Sequence, residues 1–180
     1  MLGLFYAHAL GVKKNVPLAM KYWEQAAEQG HVASNAYLGD AYNTRFDNGR
    51  GVPLAERDWK TSARYYELAA KGGHIQARHN LAALHMNAGE PKIAKKHFLI
   101  AAKLGHDDAL NVVKAGYKQG MFTKGEFAEA LRAHKDSHDE TSSGHRKNVF
   151  ADDNNTWAVK GKTGLMSVLA EEEEEYEGWG

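Results

Sequence analysis

The chain has 180 residues, 43% hydrophobic and 26% charged, with 23 Lys+Arg balancing 23 Asp+Glu and no cysteine. That length and mix suit one ordinary soluble domain, no stretch approaches the roughly 18 apolar residues of a membrane span, and the missing thiols exclude disulfides, cysteine nucleophiles and thiolate-bound zinc. The zero net charge is uneven: residues 1–135 carry 19 Lys+Arg against 12 Asp+Glu, or +7, and residues 136–180 carry 4 against 11, or −7.

In chain order, Leu2, Phe5 and Tyr6 open a first apolar helix face, and a second helix runs from an N-cap at Asn15, past Pro17 in its first turn, to Gln29. A third is expected over about 33–43, where Ser34, Leu38 and Tyr42 recur every four residues. Next comes a long loop from Asn43 to Pro53 holding Asn48-Gly49-Arg50-Gly51. It is no phosphate loop, because it lacks Gly-Lys-Ser/Thr and a preceding strand. Asp58 then caps a helix ending near Lys71. Residues 75–88 and 91–103 form the next two helices, joined at Gly89-Glu90-Pro91 with Pro at the first helical position. Helices over 107–118 and 124–136 follow, the last with Thr123 as N-cap.

Three copies of one hexapeptide organise these elements: Ala26-Ala27-Glu28-Gln29-Gly30-His31, Ala69-Ala70-Lys71-Gly72-Gly73-His74 and Ala101-Ala102-Lys103-Leu104-Gly105-His106. Alanines allow close helix approach, and a glycine that can turn left-handed ends the helix. Ala27, Ala70 and Ala102 are therefore expected to be buried. The copies align outward through Ala19, Ser62 and Ala94, then through the bulky pairs Tyr22-Trp23, Tyr65-Tyr66 and His97-Phe98.

The pattern resembles the Sel1-like repeats, relatives of the tetratricopeptide repeats. Ser34, Leu38-Gly39, Tyr42, Gly49, Gly51-Val52, Asp58, Ser62, Tyr65-Tyr66, Ala69-Ala70 and Gly73 carry the likeness. In the preceding copy Leu2-Gly3, Tyr6, Gly11-Val12, Asn15, Ala19, Tyr22-Trp23, Ala26-Ala27 and Gly30 do so. The resemblance implies an all-α fold, a right-handed α-solenoid of stacked antiparallel helix pairs, over residues 1–136. It also implies an adaptor or scaffold that holds protein partners together. Three repeats and a degenerate capping pair fill that span; a disordered acidic tail is expected over 137–180, where Glu171 to Glu175 run together.

In a solenoid each repeat covers its neighbour, so Leu2, Phe5 and Tyr6 would lack a cover. Two expectations follow: the sequence is truncated, or this edge docks on another subunit. No basic, apolar, small-residue leader opens the chain, and the expected compartment is the cytoplasm.

No residue is assigned as catalytic, cofactor-binding or metal-binding, and no cofactor is expected. His31, His74 and His106 follow a helix-ending glycine and read as structural, or as compensating the helix dipole. His85 and His97 replace aromatic residues of the repeat. His134 and His138 stand one turn apart, but the sequence fixes no third ligand near them. The candidate partner-binding stripe lies beside the core positions of the first helices: Tyr37, Asp40, Thr44, Asn80, Asn87 and Gln119. The expected partner is a protein or peptide. A polyanion such as nucleic acid, held by Lys92, Lys95, Lys96 and Lys103, is the alternative, followed by a metal-dependent enzyme.

Overall fold

Among the described residues six glycines have φ between +72° and +91°, and five of them follow a helix end: Gly30, Gly73, Gly89, Gly105 and Gly120. The computed structural model describes residues 2–8, 11, 13–43 and 58–142. Among these it shows eight helices and no strand: α1 (Leu2–His8), α2 (Val16–Glu28), α3 (Val32–Asn43), α4 (Trp59–Lys71), α5 (Ile75–Asn87), α6 (Pro91–Lys103), α7 (Asp107–Lys118) and α8 (Lys124–Ser142). The all-helical expectation therefore holds. The expected Asn43–Pro53 loop and the acidic run lie outside the described residues, apart from Asn43, which ends α3.

The expected starting signals act as N-caps. Asn15 accepts from the Leu18 amide at 3.1 Å, and Asp58 accepts from the amides of Lys60 and Thr61, each at 3.1 Å. Thr123 and Glu126 close a capping box: the Thr123 amide donates to Glu126 Oε2 at 2.7 Å and the Glu126 amide to Thr123 Oγ1 at 3.2 Å. Burial alone would raise the Glu126 carboxyl, but hydrogen bonds from Lys95 and Thr123 outweigh it and hold the group below its usual range.

The chain divides into two units, Met1–Ala94 and Lys95–Gly180. In the first, each helix from α1 to α4 packs on the next. One apolar cluster comprises Ala7, Ala19, Trp23, Leu38 and Ala41; another comprises Ala36, Tyr66, Ala69, Ala77, Leu81 and Leu84. Small residues let the large rings in. Ser62 is fully buried and donates to the Gly39 carbonyl at 2.7 Å, while Gly3 faces Trp23 and Gly39 faces Tyr66.

Ala70 is buried as expected, but Ala27 is half-buried. Ala27 packs against the margin of the Ala7, Ala19, Trp23, Leu38 and Ala41 cluster rather than within it, whereas α4 places Ala70 between α3 and α5. At the first edge Leu2 and Phe5 are exposed, but Tyr6 is half-buried and stacks on Tyr22 at 5.9 Å.

In the second unit α7 packs on α8, and Ala102, Ala109, Val113, Phe122 and Ala130 are buried. Tyr117 stacks on Phe127 at 4.8 Å. Helix α8 continues to Ser142, beyond the expected end at 136. The sequence offers nothing to stop it earlier, since the first residue after 136 that disfavours helix strongly is Gly144.

Candidate functional site

The repeated hexapeptide builds a two-way connector. In each copy the glycine amide bonds back to the second alanine carbonyl, Gly73 to Ala70 at 3.0 Å, and the histidine amide to the first, His74 to Ala69 at 2.9 Å. These are the two bonds of a Schellman helix end. The same histidine then starts the next helix. His74 Nδ1 accepts from the Ala77 amide at 3.1 Å, His106 Nδ1 from the Ala109 amide at 3.1 Å, and His31 Nδ1 from the Ser34 amide at 3.2 Å. The three histidines thus cap the following helix rather than compensate the dipole of the preceding one, which corrects the second part of that expectation. To accept at Nδ1, each imidazole must be neutral there. Burial pushes the His74 imidazole below its ordinary value, against a smaller opposing pull from the charge of Asp40.

Asp40 is also the centre of the polar face. Tyr66 donates its hydroxyl to Asp40 Oδ1 at 2.5 Å, and Asn80 Nδ2 lies 3.4 Å from both Asp40 Oδ1 and the Tyr66 oxygen. Asn80 Oδ1 accepts from Gln76 Nε2 at 3.0 Å. Burial first, then the hydrogen bond to Asp40, raises the Tyr66 hydroxyl well above its ordinary range. Two helices from consecutive repeats, α3 and α5, are thereby joined through their side chains.

Of the six stripe residues, Asp40 and Asn80 meet. Tyr37 is half-buried and stacks on Trp23 with centroids 5.3 Å apart. Asn87 is exposed at the last residue of α5, Gln119 caps the end of α7 in the second unit, and Thr44 lies outside the described residues. Sequence reasoning missed Gln76, whose signal is its position one turn before Asn80. It also missed Arg78, which is 2% exposed and donates from Nη2 to the Ala70 carbonyl at 2.9 Å, closing the end of α4 from α5.

His85 does more than replace an aromatic ring, since its Nδ1 lies 2.6 Å from Glu90 Oε2. Of the lysines considered for a polyanion, Lys95 pairs with Glu126 and Lys103 with Glu129, each at 2.8 Å. Those two charges are partly answered within the chain. Near His134 and His138, which the sequence left without a third ligand, the fold places Asp107.

The Sel1 repeat matches residues 1–31, 33–74 and 75–106. Protein sel-1 homolog 2 of Rattus norvegicus and of Mus musculus are each 36% identical over 106 residues, covering 56% of this chain and 14% of theirs. The chain thus spans about a seventh of these relatives' length. The crystal structure of c5321, a protective antigen present in uropathogenic Escherichia coli strains displaying an SLR fold, aligns with a TM-score of 0.61 at 24% identity. The alignment covers 74% of this chain and 28% of that one. It shows a shared fold.

Proposed function

Because the chain belongs to the Sel1 repeat family, we propose that it is a non-catalytic adaptor that holds a protein partner on the face shared by α3 and α5. Repeats of this kind typically serve as interaction scaffolds. The observation that carries the reading is the Asn80–Asp40 bond, which makes the polar side chains of two consecutive repeats one continuous strip. An extended peptide presents both N–H and C=O groups. Amide side chains such as Gln76 and Asn80 offer a donor and an acceptor each, so they can meet such a backbone. Tyr37 on α3 adds a half-buried aromatic edge. Among the described residues no helix is long and apolar enough to cross a membrane.

The test replaces Gln76 and Asn80 together by alanine and compares the proteins retained by wild type and variant on a column. The adaptor reading expects specific partners to be lost while the melting temperature stays close to wild type. An identical set of retained proteins would place the binding face elsewhere.

A further inference from the structure

We propose that Asp107, His134 and His138 form a binding site for one divalent transition-metal ion, with zinc the ion that fits best. The second unit builds the site from a glycine. Gly105 has φ +91°, and a Cβ on it would meet Ser137 Oγ at 2.7 Å, so the turn after α6 lets α8 come close. Ser137 then donates its hydroxyl to the Leu104 carbonyl at 3.2 Å. Flanking Ser137 on α8, His134 and His138 face Asp107, the first residue of α7.

The spacing suits a metal. Asp107 Oδ1 lies 3.1 Å from His134 Nε2 and 3.5 Å from His138 Nε2, and one ligand atom from each of the three falls within 4.8 Å of the others. Zinc holds nitrogen and oxygen ligands at about 2.0–2.1 Å in a tetrahedron, which puts neighbouring ligand atoms about 3.3 Å apart. The two histidine rings stand one turn apart on α8 with centroids 4.6 Å apart, so both lie on the side of the helix that meets Asp107.

A second observation concerns His134 alone. Its Nε2 is buried and forms no hydrogen bond among the described residues, although Asp107 Oδ1 is 3.1 Å away. The two atoms are close but badly aligned for N–H···O. A nitrogen lone pair directed at an ion between them does not require that alignment.

The donor set narrows the ion. Two imidazoles and one carboxylate suit zinc and its first-row neighbours, whereas magnesium and calcium take oxygen ligands. Three protein ligands leave the fourth tetrahedral position to water. The competing arrangement is a protonated-histidine ion pair with Asp107, which takes up no metal.

Calorimetric titration of the metal-stripped full chain with zinc chloride at neutral pH tests the proposal. The expected result is one zinc per chain, with affinity weakened at least about tenfold in Asp107→Asn and in His138→Asn. Both side chains are largely exposed, 75% and 53%, so the variants should keep the wild-type helical spectrum. Cobalt(II) supplies the second readout: the strong visible bands of a tetrahedral ion, displaced by zinc, in wild type and not in the variants. Absence of stoichiometric uptake would overturn the site. So would equal zinc affinity in wild type and both variants, which would assign the ion to other histidines of the chain.

Discussion

Tyr66 lies so close to Gly39 that a Cβ on residue 39 would meet its Cδ1 at 2.4 Å. The glycine therefore sets how near α3 and α4 approach, and with it the position of the Tyr66 hydroxyl that reaches Asp40. In an exposed helix Gly→Ala stabilises by up to about 1 kcal/mol. Here Gly39→Ala should instead destabilise by roughly 1–3 kcal/mol through overpacking. Chemical denaturation decides the sign, and a gain in stability would mean that α3 and α4 can separate at little cost.

The Asp40–Tyr66 bond makes a second prediction. Asp40→Ala leaves a buried hydroxyl without its acceptor and should cost about 1–3 kcal/mol. Tyr66→Phe removes the hydroxyl itself, so the double variant should lose less than the sum of the single losses. Additive losses would show that the two side chains do not depend on one another. For the same reason Asp40 is a poor choice for a stability-neutral test of partner binding, and Gln76 with Asn80 is the better one.

The connector predicts two further losses. Ala70 is 2% exposed, and Ala70→Leu should overpack the joint by roughly 1–3 kcal/mol. Gly73 has φ +86°, where a β-branched side chain is strained, and Gly73→Val should cost at least about 1–2 kcal/mol. Thermal melts coinciding with wild type would show that the joint is not where the repeats are held.

His74 predicts a dependence on pH. Its folded-state value is depressed below the ordinary 6.5, so the unfolded chain binds the proton more readily. The contribution to stability is fully present above about 6.5 and is lost as pH falls from there through the folded-state value. Protonation at Nδ1 also removes the acceptor that caps α5, a group worth about 1 kcal/mol. His74→Asn caps at any pH. Between pH 7.5 and 5.5 wild type should lose more stability than this variant, and equal losses would contradict the capping role.

The sequence made the repeat frame legible because its signals are local. Asn15, Asp58, Pro91 and Thr123 each stand at a helix start, and the three Gly-His pairs mark helix boundaries. Relationships between distant residues were not legible. Asp107 meets His134 where α7 packs on α8, and Asn80 meets Asp40 across forty residues where α3 and α5 come together. The histidine caps were half visible: their repetition announced a structural role, but which helix they serve depends on where Nδ1 points. Helix α8 outran its expected end because the loss of the repeat pattern after 136 does not itself end a helix, and no strong helix breaker stands before Gly144.

A partner bound on the α3–α5 face lies within reach of Gln76 and away from the outer side of α4. Photo-crosslinking from two single positions tests it most directly: a photoreactive residue at Gln76, beside Asn80 on that face, and another at the exposed Leu68 of α4. Each full-length protein is irradiated with the same extract, and crosslinked products are identified by mass. Binding on the α3–α5 face gives a discrete crosslinked protein from position 76, competed away by unlabelled wild type but not by the Gln76→Ala, Asn80→Ala chain, and no such product from position 68. The same product from position 68 alone, or competition by both unlabelled chains alike, would contradict it.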